Sequence, residues 1–158
     1  IQSIEVEYFE DPSNSFLIEK DDEKFNLKDI ASKQVVANVD TTKLKRYVSL
    51  YEGIYYEMID LESSKEKIDS TIASQPFFTI EVKTMLGGGD KIVVYHMPNY
   101  RKTLDPNEEP YEYDVDRMYA YLNEDLFVYI QFATFDKITL PKSFFTNQWK
   151  KPKKINLY

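Results

Sequence analysis

The stretch FTIEVKTMLGGGDKIVVYH, residues 78–96, determines how this chain is expected to fold. Phe78, Ile80 and Val82 alternate with polar residues, which is the period of two of a half-buried β-strand. A second apolar run follows at 92–95, and the consecutive glycines 87–89 lie between the two runs. Because glycine adopts the backbone angles of tight turns at no steric cost, the stretch predicts an antiparallel β-hairpin.

Three consecutive glycines can also belong to a loop that binds phosphate. Such a loop leads into a helix, whose first N–H groups bind the anion, and it carries a Lys-Ser/Thr pair. Residues 87–89 are followed by a predicted strand and by no such pair. The hairpin is therefore the favoured interpretation.

Residues before about 60 and residues after about 76 show the same pattern at one constant offset. The matched positions are Leu44, Tyr47 and Val48 with Met118, Tyr121 and Leu122, and Ile54, Tyr56 and Met58 with Val128, Ile130 and Phe132. Asp40 and Asp114, which precede the first matched sets, are residue types that cap helix starts. The pattern predicts helices over 40–51 and 114–122, and strands over 53–60 and 126–133.

The sequence therefore predicts an α+β fold built from two tandem ββ(β)αβ-like repeats. Each repeat has an antiparallel sheet with one helix packed on it. The first repeat spans 1–61, a linker with a short helix spans 62–75, the second repeat spans 76–145, and a basic tail spans 146–158. With 158 residues, the chain is expected to form one compact unit around a shared core.

Composition excludes several classes of function. The net charge of −7 and the isoelectric point near 4.8 disfavour nucleic acid as a partner. The absence of cysteine excludes disulfides, thiolate nucleophiles and cysteine-ligated metals. No run of 18 apolar residues is present, and the chain begins with Ile1. Membrane association is thus expected only through an N-terminal anchor that this sequence lacks.

Residues suited to catalysis or metal binding are few. His96 is the only histidine, which rules out a site with several histidine ligands. The neighbouring carboxylates Asp114 and Asp116 are explained by helix capping, and residues 105–109 do not follow the order of a calcium-binding loop. We expect no catalytic residue, no metal and no cofactor; the alternative is a hydrolase that uses a carboxylate pair or His96.

Tyrosines surround the longest irregular segment, 98–110, and predict a binding surface. Tyrosine combines a large apolar ring with a polar tip, which suits protein and glycan partners. The candidate binding residues are Tyr95, His96, Tyr100, Arg101, Tyr111 and Tyr113. A purely structural interpretation stays open, because sheets favour aromatic residues. For the basic tail with Trp149, a solvated end is favoured over contact with an acidic partner or an anionic membrane surface.

Four segments carry a resemblance to a known group of proteins: 78–82, 113–120, 129–132 and 135–136. In these segments the chain resembles uncharacterised bacterial proteins of a domain-of-unknown-function family with a duplicated β-rich module, usually anchored in the cell envelope. The resemblance implies an extracytoplasmic, non-catalytic binding or assembly module of the envelope that recognises a protein or glycan. A structural spacer domain is a further alternative.

Overall fold

Alternating apolar residues form strands along most of the chain. The computed structural model describes residues 1–147 and 149, and within them the chain forms one antiparallel sheet of eight strands, with a few short helices. The strands are β1 (Ser3–Tyr8), β2 (Phe16–Asp21), β3 (Lys24–Asp29), β4 (Met58–Ile59), β5 (Phe78–Lys83), β6 (Gly89–Pro98), β7 (Tyr113–Leu122) and β8 (Leu126–Gln131). Their order in the sheet is β3-β2-β1-β5-β6-β7-β8-β4, so strands from both predicted repeats share one sheet.

The predicted hairpin is confirmed. Strands β5 and β6 pair in antiparallel register, and Phe78 lies opposite Val94. The turn requires glycine, since Gly87 has a φ of +84° and a Cβ on Gly89 would lie 2.1 Å from the carbonyl oxygen of Val82.

One face of the sheet, called here the first face, carries the main core. It presents Val6, Ile80 and Val94, which are buried against the helix α1 (Thr41–Ser49) and the short turns near the C-terminal end. The predicted helix over 40–51 is confirmed, and Asp40 accepts hydrogen bonds from the backbone N–H groups at 42 and 43. This face holds most of the buried apolar side chains and fixes the position of the sheet.

The opposite, second face is covered only in part. The short helix α2 (Lys65–Ile72), which confirms the linker helix, packs Ile68 against the end of the sheet formed by β6, β7 and β8. A smaller cluster of Tyr95, Met97, Tyr119 and Phe127 lies beneath it.

The predicted helix over 114–122 is wrong, because these residues lie in β7. Asp114 does accept hydrogen bonds from the N–H groups of Asp116 and Arg117, as a helix cap would. The chain nevertheless continues as a strand, since Met118 and Tyr119 alternate between the two faces and pair with β6 and β8. The cap-like bonds instead stabilise an irregularity where β6 and β7 shift register.

Two other predicted elements are shorter than expected. The strand predicted over 53–60 is limited to Met58–Ile59, and the strand predicted over 126–133 ends at Gln131, where the single-turn helix α3 (Phe132–Phe135) begins. The architecture is thus mixed α/β around one antiparallel sheet, and two repeats with one helix each are not confirmed. Residues 148 and 150–158, most of the predicted basic tail, lie outside the described part of the chain.

Candidate functional site: a tyrosine-lined cleft

A cleft of about 440 Å³ opens on the second face, and we call it the tyrosine cleft. Its floor is formed by Met97, Tyr119 and Tyr129, from the adjacent strands β6, β7 and β8. Its walls are the segment 58–62, the helix α2 and the start of the loop after β6. Cavities of this size are within the range that small ligands or single side chains occupy.

The floor is rigid because its rings are packed and bonded. Tyr119 is buried, and its ring centroid lies 5.2 Å from that of Phe127 and 5.5 Å from that of Tyr129. Burial is the main cause that raises the pKa of the Tyr119 hydroxyl above its usual value, and the interaction with the Tyr100 side chain is the next largest. The floor is therefore a neutral aromatic surface at physiological pH.

One wall contains a buried carboxylate, Asp60, of which 7% is exposed. Its oxygens accept hydrogen bonds from the N–H groups of Glu62 and Ser63 and from the hydroxyls of Ser63 and Tyr129. Burial acts to raise the pKa of Asp60, but these hydrogen bonds outweigh it and lower the pKa. Asp60 thus stays ionised and fixes both the segment 60–63 and the ring of Tyr129.

The opposite end of the cleft is held by an ion-pair network. Asp114, which is 3% exposed, accepts hydrogen bonds from Nε of Arg101 at 3.2 Å and from Nη2 at 2.9 Å. The same Nη2 lies 2.7 Å from a carboxylate oxygen of Asp116. Burial alone would raise the pKa of Asp114, but the bonds from Arg101 and from the backbone N–H groups lower it. Arg101 therefore ties the loop after β6 to β7.

The cleft also contains a cation that forms no ion pair. The Nζ atom of Lys67 lies 5.1 Å from the ring centroid of Tyr119 and 5.4 Å from that of Tyr100. No carboxylate among residues 1–147 and 149 pairs with Lys67, whereas Arg117, the third cation of the cleft, donates to Glu57 at 2.6 Å. Within the part of the chain that the structure describes, the ammonium group of Lys67 thus lies against ring faces and not against a carboxylate.

Large apolar side chains are exposed along the rim. Leu61 is 87% exposed, Tyr100 is 62% exposed and Met58 is 52% exposed, and Ile59 is partly exposed between them. Met58 and Ile59 form the edge strand β4, and Leu61 follows this strand. Tyr100 lies in the loop after β6 and lines the same cleft. A concentration of exposed apolar groups beside a cleft is typical of an interaction surface.

The structure brings together two of the six predicted binding residues. Tyr100 and Arg101 line the tyrosine cleft. Tyr95 is buried beneath α2, where its hydroxyl donates to the carbonyl oxygen of Ile72. Tyr111 lies in the loop, and Asn99 donates to its carbonyl oxygen at 2.9 Å.

His96 and Tyr113 lie apart from the cleft, in a stack of aromatic rings. The ring of His96 is 4.1 Å from that of Phe77 and 4.2 Å from that of Tyr113, measured between centroids. Its Nε2 atom lies 3.1 Å from a carboxylate oxygen of Glu10. These contacts give His96 a packing role at the end of β6.

The sequence did not indicate that Asp60, Lys67, Tyr119 and Tyr129 belong to one cleft. They come from four segments, which are the residues after β4, helix α2, β7 and β8, and the pairing of β4 with β8 places the first of these beside the last. The alternation along 117–121 was the one usable signal. It places Tyr119 on the face opposite Met118 once the segment is assigned as a strand.

Asp60 and Asp114 are poor candidates for the general acid of the hydrolase alternative. A general acid needs a raised pKa, whereas the pKa values of these two carboxyl groups are lowered. Within the described residues, no group of three or more His, Cys, Asp or Glu side chains is arranged to hold a metal ion.

A second cleft, of about 450 Å³, lies on the first face between β5, β6 and the segment 51–56. Apolar side chains form almost all of its wall, and its charged members are Glu52 and Asp90. Tyr51, Tyr55 and Tyr56 also line it and supply hydroxyl groups that can donate and accept hydrogen bonds.

Scans against models of known protein families, against curated proteins and against solved structures find no match for this chain. None of the helices in the described residues is long and apolar enough to cross a membrane.

Proposed function

We propose that this protein is a non-catalytic binding module of the bacterial cell envelope, which recognises a protein partner through the tyrosine cleft. The observation that carries the proposal is the exposed apolar rim, in which Met58, Leu61 and Tyr100 flank a preformed cleft. The envelope location rests on the resemblance of the four segments described above.

Exposing the apolar rim to water is unfavourable in free energy for a protein without a partner. Apolar side chains exposed on adjacent residues leave a large area in contact with water, and covering this area stabilises a complex. Aromatic residues and methionine are also enriched where protein interfaces are most buried. Tyr100 and Met58 supply both residue types, and Leu61 extends the apolar surface beyond the cleft.

A protein partner is favoured over a glycan. Sugars stack on flat aromatic rings and need free hydrogen-bonding groups around them. In the cleft, Asp60 and Arg101 already make most of their hydrogen bonds within the protein, and the exposed side chains of Met58 and Leu61 are aliphatic. Aliphatic rims complement the apolar side chains of a protein.

The proposal is tested by comparing two exposed leucines. Leu61, at the cleft, and Leu86, which is 99% exposed at the tip of the β5–β6 hairpin, are each changed to Asp. Immobilised wild type and both variants are incubated with bacterial envelope extract, and bound proteins are quantified by mass spectrometry. We expect a protein that binds wild type and Leu86→Asp, and whose recovery falls at least tenfold with Leu61→Asp, about 1.4 kcal/mol of binding free energy.

Equal recovery by all three proteins would contradict the proposed surface and favour the spacer alternative. Loss of recovery with Leu86→Asp alone would place the binding surface on the hairpin tip instead. Thermal unfolding of both variants serves as the control, because Asp at an exposed position should leave the fold intact.

A further inference from the structure

The ammonium group of Lys67 lies in an aromatic cage. We use this name for Tyr100, Tyr119 and Tyr129, which line the tyrosine cleft together with Lys67. The Nζ atom is within 5.5 Å of the ring centroids of both Tyr100 and Tyr119. Ring faces carry negative electrostatic potential, and cations within about 6 Å of a centroid are attracted to them.

Contacts that do not involve Lys67 also hold the cage. Tyr119 is buried, and its ring centroid lies 5.2 Å from that of Phe127 and 5.5 Å from that of Tyr129. Tyr100 is further positioned by its neighbour Arg101, which is fixed to Asp114. The rings therefore keep their positions when the ammonium group leaves, and the cage is preorganised for another cation.

Lys67 itself is able to leave. It belongs to the surface helix α2, its long side chain is only half-buried, and no carboxylate of the described residues anchors its charge. The ammonium group regains its hydration when it turns toward solvent, so the loss of the ring contacts is partly compensated.

From this geometry we propose that the aromatic cage binds the ammonium group of a lysine side chain of the protein partner, and that Lys67 occupies the cage in the free protein. The inference rests on the proposed function. A lysine is the ligand that the cage already accommodates, and a partner lysine would bring the same group on the same flexible stem. Lys67 then acts as an internal competitor that lowers the apparent affinity of the partner.

The charges around the cage favour a cation over an anion. Asp60 and Asp114 are ionised and buried in its walls, and the chain carries a net charge of −7. Arg101 pairs with Asp114 and Arg117 pairs with Glu57, so these charges largely offset one another. Among the described residues no cation pairs with Asp60, so an anion entering the cleft after Lys67 moves out would meet the negative ring faces and the carboxylate of Asp60.

The test is a titration with a lysine side chain in isolation. The probe is Nα-acetyl-lysine N-methylamide, and the norleucine analogue, which lacks the ammonium group, is the neutral comparison. Binding is followed by NMR for wild type, Lys67→Met and Lys65→Met. Lys65 lies on the same helix, is exposed and carries the same charge, so its variant controls for the change in net charge.

We expect Lys67→Met to bind the lysine probe more tightly than Lys65→Met, by about threefold to thirtyfold, the range that cation–π attraction supports. The norleucine probe should bind no variant appreciably. Adding Tyr100→Leu to Lys67→Met should remove the gain. A second variant, Lys67→Gln, keeps a polar side chain on the helix and should behave as Lys67→Met does.

Equal affinity of Lys67→Met and Lys65→Met for the lysine probe overturns the inference, as does equal binding of the two probes. These results are distinguishable from failure of the proposed function. If the titration fails while Leu61→Asp still abolishes capture, the proposed function stands without the cage. If the titration succeeds while Leu61→Asp captures normally, the proposed function fails and the lysine site alone remains.

Discussion

Aromatic residues lie on both faces of the sheet, but they pack into a core on the first face and line a cleft on the second. On the first face, Phe145 packs its ring 5.0 Å from Tyr47 and 5.1 Å from Phe16, between centroids, and the hydroxyl of Tyr47 donates to the carbonyl oxygen of Ile138. On the second face, Tyr100 and Tyr119 leave a cleft between them that holds a charged group.

The difference lies in what covers each face. Helix α1 and the C-terminal turns contribute apolar side chains that pack over the first face, apart from the cleft between β5, β6 and the segment 51–56. The short helix α2 contributes Ile68 and the stem of Lys67, and the segment beside it contains Asp60. Buried charged groups need fixed hydrogen bonds, and Asp60 makes them with the segment 62–63. We propose that the first face chiefly provides stability and that the second face provides recognition.

The largest expected effect comes from the first face. Phe145→Ala removes a fully buried ring from contact with Phe16 and Tyr47, so the free energy of unfolding should fall by about 3–5 kcal/mol. Tyr100→Leu, on the second face, should change it by about 1 kcal/mol or less. Urea unfolding followed by circular dichroism measures both. Comparable losses for the two variants would break the distinction between the faces.

A smaller effect is expected from the buried carboxylate Asp114. Asp114→Asn removes a charge that Arg101 and two backbone N–H groups stabilise, and should cost about 2 kcal/mol at pH 7. The folded-state pKa of Asp114 lies below its unfolded value, so its contribution is present above about pH 4 and is lost as the pH falls further. Unfolding of wild type and variant should therefore differ at pH 7 and converge toward pH 2. A difference that stays constant with pH would show that the charge is not responsible.

The smallest of these effects is expected at His96. Its ring is stacked between Phe77 and Tyr113, and His96→Gln should cost about 1 kcal/mol of stability through the lost ring contacts. Binding at the tyrosine cleft should be unchanged, because this stack lies outside the cleft. Thermal unfolding and the lysine-probe titration check the two statements. If His96→Gln impaired binding of the lysine probe without changing the unfolding temperature, His96 would instead be a binding residue.

Part of the fold follows directly from the sequence. The hairpin follows from the alternation at 78–82 and the glycines at 87–89, and the structure contains it. The start of α1 follows from the capping residue Asp40 and is also observed. The segment 114–122 was ambiguous because its apolar residues satisfy two periods. Met118, Tyr121 and Leu122 have helical spacing, while Met118, Ala120 and Leu122 alternate as in a strand. Pairing with both neighbouring strands decides between them, and pairing depends on distant residues.

The site was predictable only where its residues are close in sequence. Tyr100 and Arg101 were found because tyrosines surround their irregular segment. Lys67 was missed because a polar linker normally indicates a solvated segment, and Asp60 was missed because it ends the segment predicted as a strand over 53–60. Only the folded chain brings both residues beside Tyr119. Burial of Asp60 among hydrogen-bond donors gives no signal in a single sequence.

The central claim, that the second face is the recognition face, is tested most directly by mapping the lysine probe onto the protein. Amide chemical shifts of ¹⁵N-labelled Lys67→Met are recorded while Nα-acetyl-lysine N-methylamide is added. We predict shift changes confined to residues 58–62, 97–101, 119 and 129, with none at the hairpin tip 84–88 or in the apolar cleft of the first face. Absence of shift changes around the tyrosine cleft, or changes centred on the hairpin tip or the first face, would contradict the account.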